Sequence, residues 1–142
     1  MRRYLVVANL TVAGEPLLQT VRELMAQGPC RFTVVVPAGA DPASWHAHDE
    51  AHDVAAARAR LDAALEAFRA VGADVEGRIG DPRPVDAVRD VLREGDYDEI
   101  IVSTLPPGVS RWLRTDVVRR IERAVDLPVR HVYGVRAPAV TG

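Results

Sequence analysis

The chain has 142 residues, 48% of them apolar and 27% charged, the length and balance of one globular domain. Its formal net charge is −2, and all 18 basic residues are arginine. The absence of lysine excludes a P-loop lysine, a Schiff-base lysine and a Ser-Lys dyad, and the charge argues against a general nucleic-acid binder. The single cysteine, Cys30, cannot form an internal disulfide, which points to a reducing cytoplasm. Apolar runs fall short of the roughly 18 residues of a membrane span. Met1–Val7 faintly suggests a signal peptide, but Asn9 and Thr11 interrupt it and the segment is needed as a strand.

Tyr4–Ala8 is the first run of strand formers. A helix is expected over Glu15–Gln27, with Leu17, Val21, Leu24 and Met25 on one side and Gly28-Pro29 as its stop. Phe32–Val36 is the second strand, ended by Pro37. Ala38–Asp53 is a long polar connection. The second helix spans Asp49–Val71, with Val54, Ala57, Leu61, Leu65 and Phe68 as its apolar stripe and Gly72 beyond it. Ala73–Ile79 is a weaker strand. Asp81-Pro82 reads as an N-cap followed by proline at the first helical position. Val85, Val88, Val91 and Leu92 face inward on that third helix, which Gly95 closes. Ile100–Val102 is a strong strand, and the fourth helix, Val109–Val125, directs Trp112, Leu113, Val117, Ile121 and Val125 to the core. Val129–Val135 is the last strand, and residues 136–142 read as a loose tail after a single domain of residues 1–135. Alternating strands and helices, with continuously apolar strands, predict an α/β doubly wound parallel sheet of five strands with helices on both faces.

Ligands of such sheets bind beyond the carboxyl ends of the strands, here Asn9–Gly14, Val36–Ala40, Gly80–Pro84 and Ser103–Ser110. The stretches Gly80-Asp81-Pro82, Asp96-Tyr97-Asp98-Glu99-Ile100-Ile101-Val102 and Ala124-Val125-Asp126-Leu127-Pro128-Val129 resemble the universal stress protein family, over about Tyr4 to Val132. The resemblance implies a Rossmann-like sheet of strand order 3-2-1-4-5 and a homodimer formed through the last strand. ATP-binding members carry Gly-x-x-Gly and, further on, Gly-Ser/Thr after the fourth strand, so that backbone N–H groups reach the phosphates. In this chain Ser103 stands at the first glycine, Pro106 or Leu105 at the second, and Thr115-Asp116 near the last pair; Gly108 is displaced. Pro106 and Pro107 remove two N–H donors, and Asn9 replaces the acidic residue after the first strand. The candidate ligand-binding residues are Asn9, Val36, Ser103, Thr104, Gly108, Ser110, Arg111 and Arg114, with ATP or another small anion as the ligand type. The plainer reading is a rigid Pro-Pro connection that binds nothing.

Four other features have plain readings. Arg111, Arg114, Arg119, Arg120 and Arg123 load the fourth helix and fit a solvated face, with a patch for an anionic partner as the functional alternative. His46, His48 and His52 beside Asp49 and Asp53 have spacing that can hold a divalent cation but lack a fixed third ligand, so no metal site is assigned. Trp45 fits a hydrophobic anchor, and His131 a surface or dimer contact on an edge strand. No nucleophile–base set or acid/base pair stands out. The expectation is a non-enzymatic, universal-stress-like regulatory protein, cytoplasmic and homodimeric, with no catalytic residue. The alternatives are a nucleotide-binding ATP/AMP stress sensor using variant contacts and a weak nucleotide hydrolase.

Overall fold

The computed structural model describes residues 1–8, 11, 12, 14–38, 50–104, 111–133, 135 and 136, with backbone alone at 11, 12, 50–53, 111–116, 135 and 136. The elements in chain order are β1 (Arg2–Ala8), β2 (Thr11–Val12), α1 (Glu15–Ala26), β3 (Cys30–Pro37), α2 (Glu50–Ala70), β4 (Val75–Gly80), α3 (Pro84–Glu94), β5 (Glu99–Thr104), α4 (Arg111–Ala124), β6 (Val129–Tyr133) and β7 (Val135–Arg136). Five strands form one parallel sheet in the order β4-β3-β1-β5-β6. Counted among the five expected strands, this is the order 3-2-1-4-5. A second, antiparallel pair joins β2 to β7 through Thr11–Arg136 and Val12–Val135. Arg136 therefore belongs to a strand, although the sequence places it at the start of the tail; residues 137–142 lie outside the described residues.

Each central strand is buried on both sides, and the alternation divides its residues between two cores. Tyr4, Val6, Ala8, Phe32, Val34, Val36, Ile101 and Val132 join Leu17, Val21 and Leu24 of α1 and Ala57, Leu61 and Phe68 of α2. Leu5, Val7, Val35, Ile100 and Val102 join Ala87, Val88 and Val91 of α3 and Ile121 of α4 on the other face. Phe32 anchors the first core, stacked on Tyr4 at 5.4 Å and meeting Phe68 edge-on at 5.6 Å. Burial pushes the Tyr4 hydroxyl pKa above its ordinary value, partly offset by nearby Arg2.

Two glycines set how close helices come. A Cβ on Gly77 would lie 2.6 Å from Leu61 Cδ1, so the missing side chain lets α2 settle on β4. A Cβ on Gly80 would lie 2.8 Å from Ala87 Cβ and 2.7 Å from Val35 Cγ2, so α3 packs almost directly on the strand. Gly72, at φ +86°, ends α2, where the Ala73 N–H bonds back to the Phe68 carbonyl at 3.0 Å.

Two local expectations are corrected. Helix α3 begins at Pro84 after an extended Arg83, rather than at Pro82. The Asp81 carboxylate accepts the Arg83 N–H at 2.9 Å, which closes a turn before the helix, and Pro84 then supplies the preset φ. Val54 is 41% exposed rather than part of the buried stripe, which starts one turn later at Ala57.

Candidate functional site

The carboxyl ends of β1, β3, β5 and β6 bring the expected site together only in part. Ser103 and Thr104 are the last residues of β5, and both are buried. The ladder places Ser103 between Ala8 of β1 and Val132 of β6. Alternation sends Ser103 to the α1/α2 side with Ile101, and Thr104 to the α3/α4 side with Val102. Val36 stands at the end of β3, on the other side of β1, with its side chain fully buried in the α1/α2 core. Arg111 opens α4 and Arg114 lies in its first turn. Asn9, Gly108 and Ser110 lie outside the described residues.

The sequence does not reveal one arrangement here. Thr104 Oγ1 lies 2.5 Å from His131 Nε2, so the hydroxyl and imidazole are hydrogen-bonded across β5 and β6. The His131 ring also packs on Tyr133, at 4.7 Å between centroids. Val102 pairs with His131 and Thr104 with Tyr133, so the bond runs diagonally across the ladder. Recognising it requires the strand register, which residue spacing does not contain. The bond holds the buried Thr104 hydroxyl in one rotamer and ties the edge strand to the end of β5. A hydroxyl held in this way can still accept from, or be bridged to, a ligand at the mouth of the sheet.

Arg119, Arg120, Glu122 and Arg123 are exposed, which suits both a solvated outer face of α4 and a patch for an anionic partner. His46 and His48 lie outside the described residues, and among the described residues no group of three His, Cys, Asp or Glu side chains could hold a metal ion. No helix among the described residues is long and apolar enough to cross a membrane. Cys30 is half-buried at the amino end of β3, and burial raises its thiol pKa. At the same end of the sheet, Arg130 Nε meets Glu99 Oε2 at 2.8 Å and links β6 to β5.

No protein-family model and no curated protein sequence matches the chain. Among solved structures, the universal stress protein from Archaeoglobus fulgidus superposes with a TM-score of 0.60 at 19% identity, over 91% of this chain and 93% of that one. The universal stress protein from the same organism in complex with dAMP gives a TM-score of 0.63 at 20% identity, over 93% and 99% of the two chains. With its 3-2-1-4-5 parallel sheet and four helices, the chain has the Rossmann-like fold seen in the universal stress proteins.

Proposed function

We propose that this chain is a universal-stress-like regulatory protein, homodimeric and cytoplasmic, that has lost the glycine phosphate cradle and catalyses no reaction. One observation carries the reading. The fold is that of the universal stress proteins, and Ser103, which the resemblance sets at the first cradle glycine, lies buried at the end of β5 with Ala8 and Val132 as its ladder partners. A side chain fills space that glycine leaves open, and Pro106 and Pro107 take two N–H donors from the following segment. Dimerisation is supported by the position of β6 at the edge of the sheet, where Tyr133 is 41% exposed.

Native mass spectrometry of the purified protein, with a melting curve in ATP and Mg²⁺, tests this reading. The expected result is a dimer mass with no retained nucleotide and a melting temperature unchanged by millimolar ATP. A ligand at 100 times its Kd adds about 2.7 kcal/mol to stability, which such a curve registers clearly. A shift with ATP or AMP would overturn the lost cradle in favour of a nucleotide sensor working through Ser103, Thr104, Ser110, Arg111 and Arg114. That second reading draws support from the dAMP complex of the structural neighbour. Phosphate release above the buffer rate would instead indicate a hydrolase.

A further inference from the structure

The amino end of the sheet, opposite the crevice described above, contains a cavity of about 330 Å³ on the α3 side of β1, β3 and β4. Its walls include Arg3, Thr33, Glu76, Arg78, Glu94 and Tyr97. This volume lies at the small end of the range for small-molecule sites.

The wall is organised in three parts. Arg78 and Glu94 form a two-armed ion pair and neutralise each other. Tyr97 donates its hydroxyl hydrogen to Thr33 Oγ1 at 3.1 Å, and Thr33 donates to Glu76 Oε1 at 3.3 Å. This relay fixes one carboxylate oxygen of Glu76, while the other is only 3.6 Å from the outer Arg31 guanidinium. Arg3 is tethered at its backbone, where its N–H donates to Asp98 Oδ2 at 2.8 Å and its carbonyl accepts the Asp98 N–H at 2.8 Å. Its guanidinium lies over the Tyr97 ring at 4.9 Å. A Cβ at Gly95 would come within 3.3 Å of the guanidinium nitrogens, so the glycine makes room for them. Among the described residues no carboxylate pairs with the Arg3 guanidinium, whereas Arg31 and Arg78 both have such partners.

Among the described residues, the cavity therefore presents one guanidinium fork with no carboxylate on it and one half-exposed carboxylate held by Thr33 and weakly paired with Arg31. We propose that this cavity binds a small zwitterion, a free α-amino acid, with its carboxylate on the Arg3 fork and its ammonium on Glu76. The planar guanidinium suits a carboxylate bidentately, and the Tyr97 ring holds it flat. A simple anion would leave Glu76 facing negative charge, and a simple cation would meet Arg3.

The test is a ¹⁵N-HSQC titration of the wild type with each of the common L-amino acids, with acetate and methylammonium as half-ligands. At least one amino acid at millimolar concentration is expected to move the amide peaks of Thr33, Glu76, Arg78 and Tyr97. Acetate and methylammonium should bind at least about tenfold more weakly, since each makes only one of two charge-assisted contacts. Arg3→Gln and Glu76→Gln should each weaken amino-acid binding by about tenfold or more, while their far-UV spectra match the wild type. The proposal is overturned if no amino acid moves these peaks, if acetate binds as tightly as the amino acids, or if both variants bind like the wild type.

Discussion

Gly80→Ala tests whether the approach of α3 to the sheet is set by one absent side chain. The new Cβ would lie 2.7 Å from Val35 Cγ2 and 2.8 Å from Ala87 Cβ. Carbon atoms prefer about 3.5–4.0 Å, so both contacts are roughly 0.7 Å or more too short. Val35 and Ala87 are fully buried, and alanine has no side-chain torsion through which to yield. The helix must therefore shift, at a cost of about 1–3 kcal/mol from a total stability of about 5–15 kcal/mol for a domain of this kind. Gly77→Ala is the informative control. Its nearest contact is nominally shorter, 2.6 Å, but that contact and the next two, at 3.0 and 3.2 Å, are leucine δ-methyls that can turn aside. Both glycines lie in β4, so the gain of about 0.5–1 kcal/mol on replacing a strand glycine is common to the two changes and the clash alone separates them. Urea unfolding followed by far-UV circular dichroism should therefore rank Gly80→Ala as the more damaging change, with an unaltered m-value. Ala87→Gly alone should cost about 1 kcal/mol through helix propensity, yet in the Gly80→Ala background it should recover part of the loss. A Gly80→Ala protein within 0.5 kcal/mol of wild type, or one no less stable than Gly77→Ala, would refute this account of the packing.

Phe68→Ala removes the ring that meets Phe32 edge-on in the first core and should cost about 3–5 kcal/mol in the same unfolding experiment. The Arg78 hydrogen bond holds the Glu94 pKa below the ordinary carboxylate value, so the pair stabilises the fold above the unfolded-state pKa and loses that contribution as pH falls through the folded one. Glu94→Gln should accordingly lower the melting temperature slightly at neutral pH and match wild type in acid below the carboxylate range; an unchanged difference in acid would contradict the linkage. Burial raises the Cys30 pKa, so its reaction with a disulfide reagent should have a rate midpoint at higher pH than that of free cysteine, and a lower midpoint would count against burial as the cause.

The legible parts of this fold were those with one-dimensional signatures. β1, β3 and β5 read as buried parallel strands because Tyr4–Ala8, the Phe32–Val36 run and Ile100–Val102 are continuously apolar. β4 was faint because it is an edge strand whose Glu76 and Arg78 line a polar cavity. The strand order came with the family resemblance, since hydrophobic periodicity carries no information about neighbours. For the start of α3, Asp81-Pro82 and Arg83-Pro84 offer overlapping signals, and only the Asp81 hydrogen bond to the Arg83 N–H separates them. β2 and β7, at two residues each, are too short to show a period. At the site, Ser103 and Thr104 could be placed at a strand end from the sequence, whereas the bond from Thr104 to His131 depends on register. The amino-end cavity draws on Arg3, Thr33, Glu76, Glu94 and Tyr97, which are scattered through most of the chain and become neighbours only in the fold.

The central position of β1 also has a consequence for synthesis on the ribosome. One side of β1 pairs with β3, which follows early, but the other pairs with β5, whose first residue is Glu99. Between those events the emerging chain can assemble β4-β3-β1 with α1 and α2, while Leu5 and Val7 lack Ile100 and Val102 beside them. During that interval β1 is an unprotected strand edge flanked by apolar side chains, the kind of surface that recruits other chains. Substitutions that delay β5, such as a charge at Ile100 or Ile101, should therefore reduce the yield of soluble protein more than an equally destabilising change in α1.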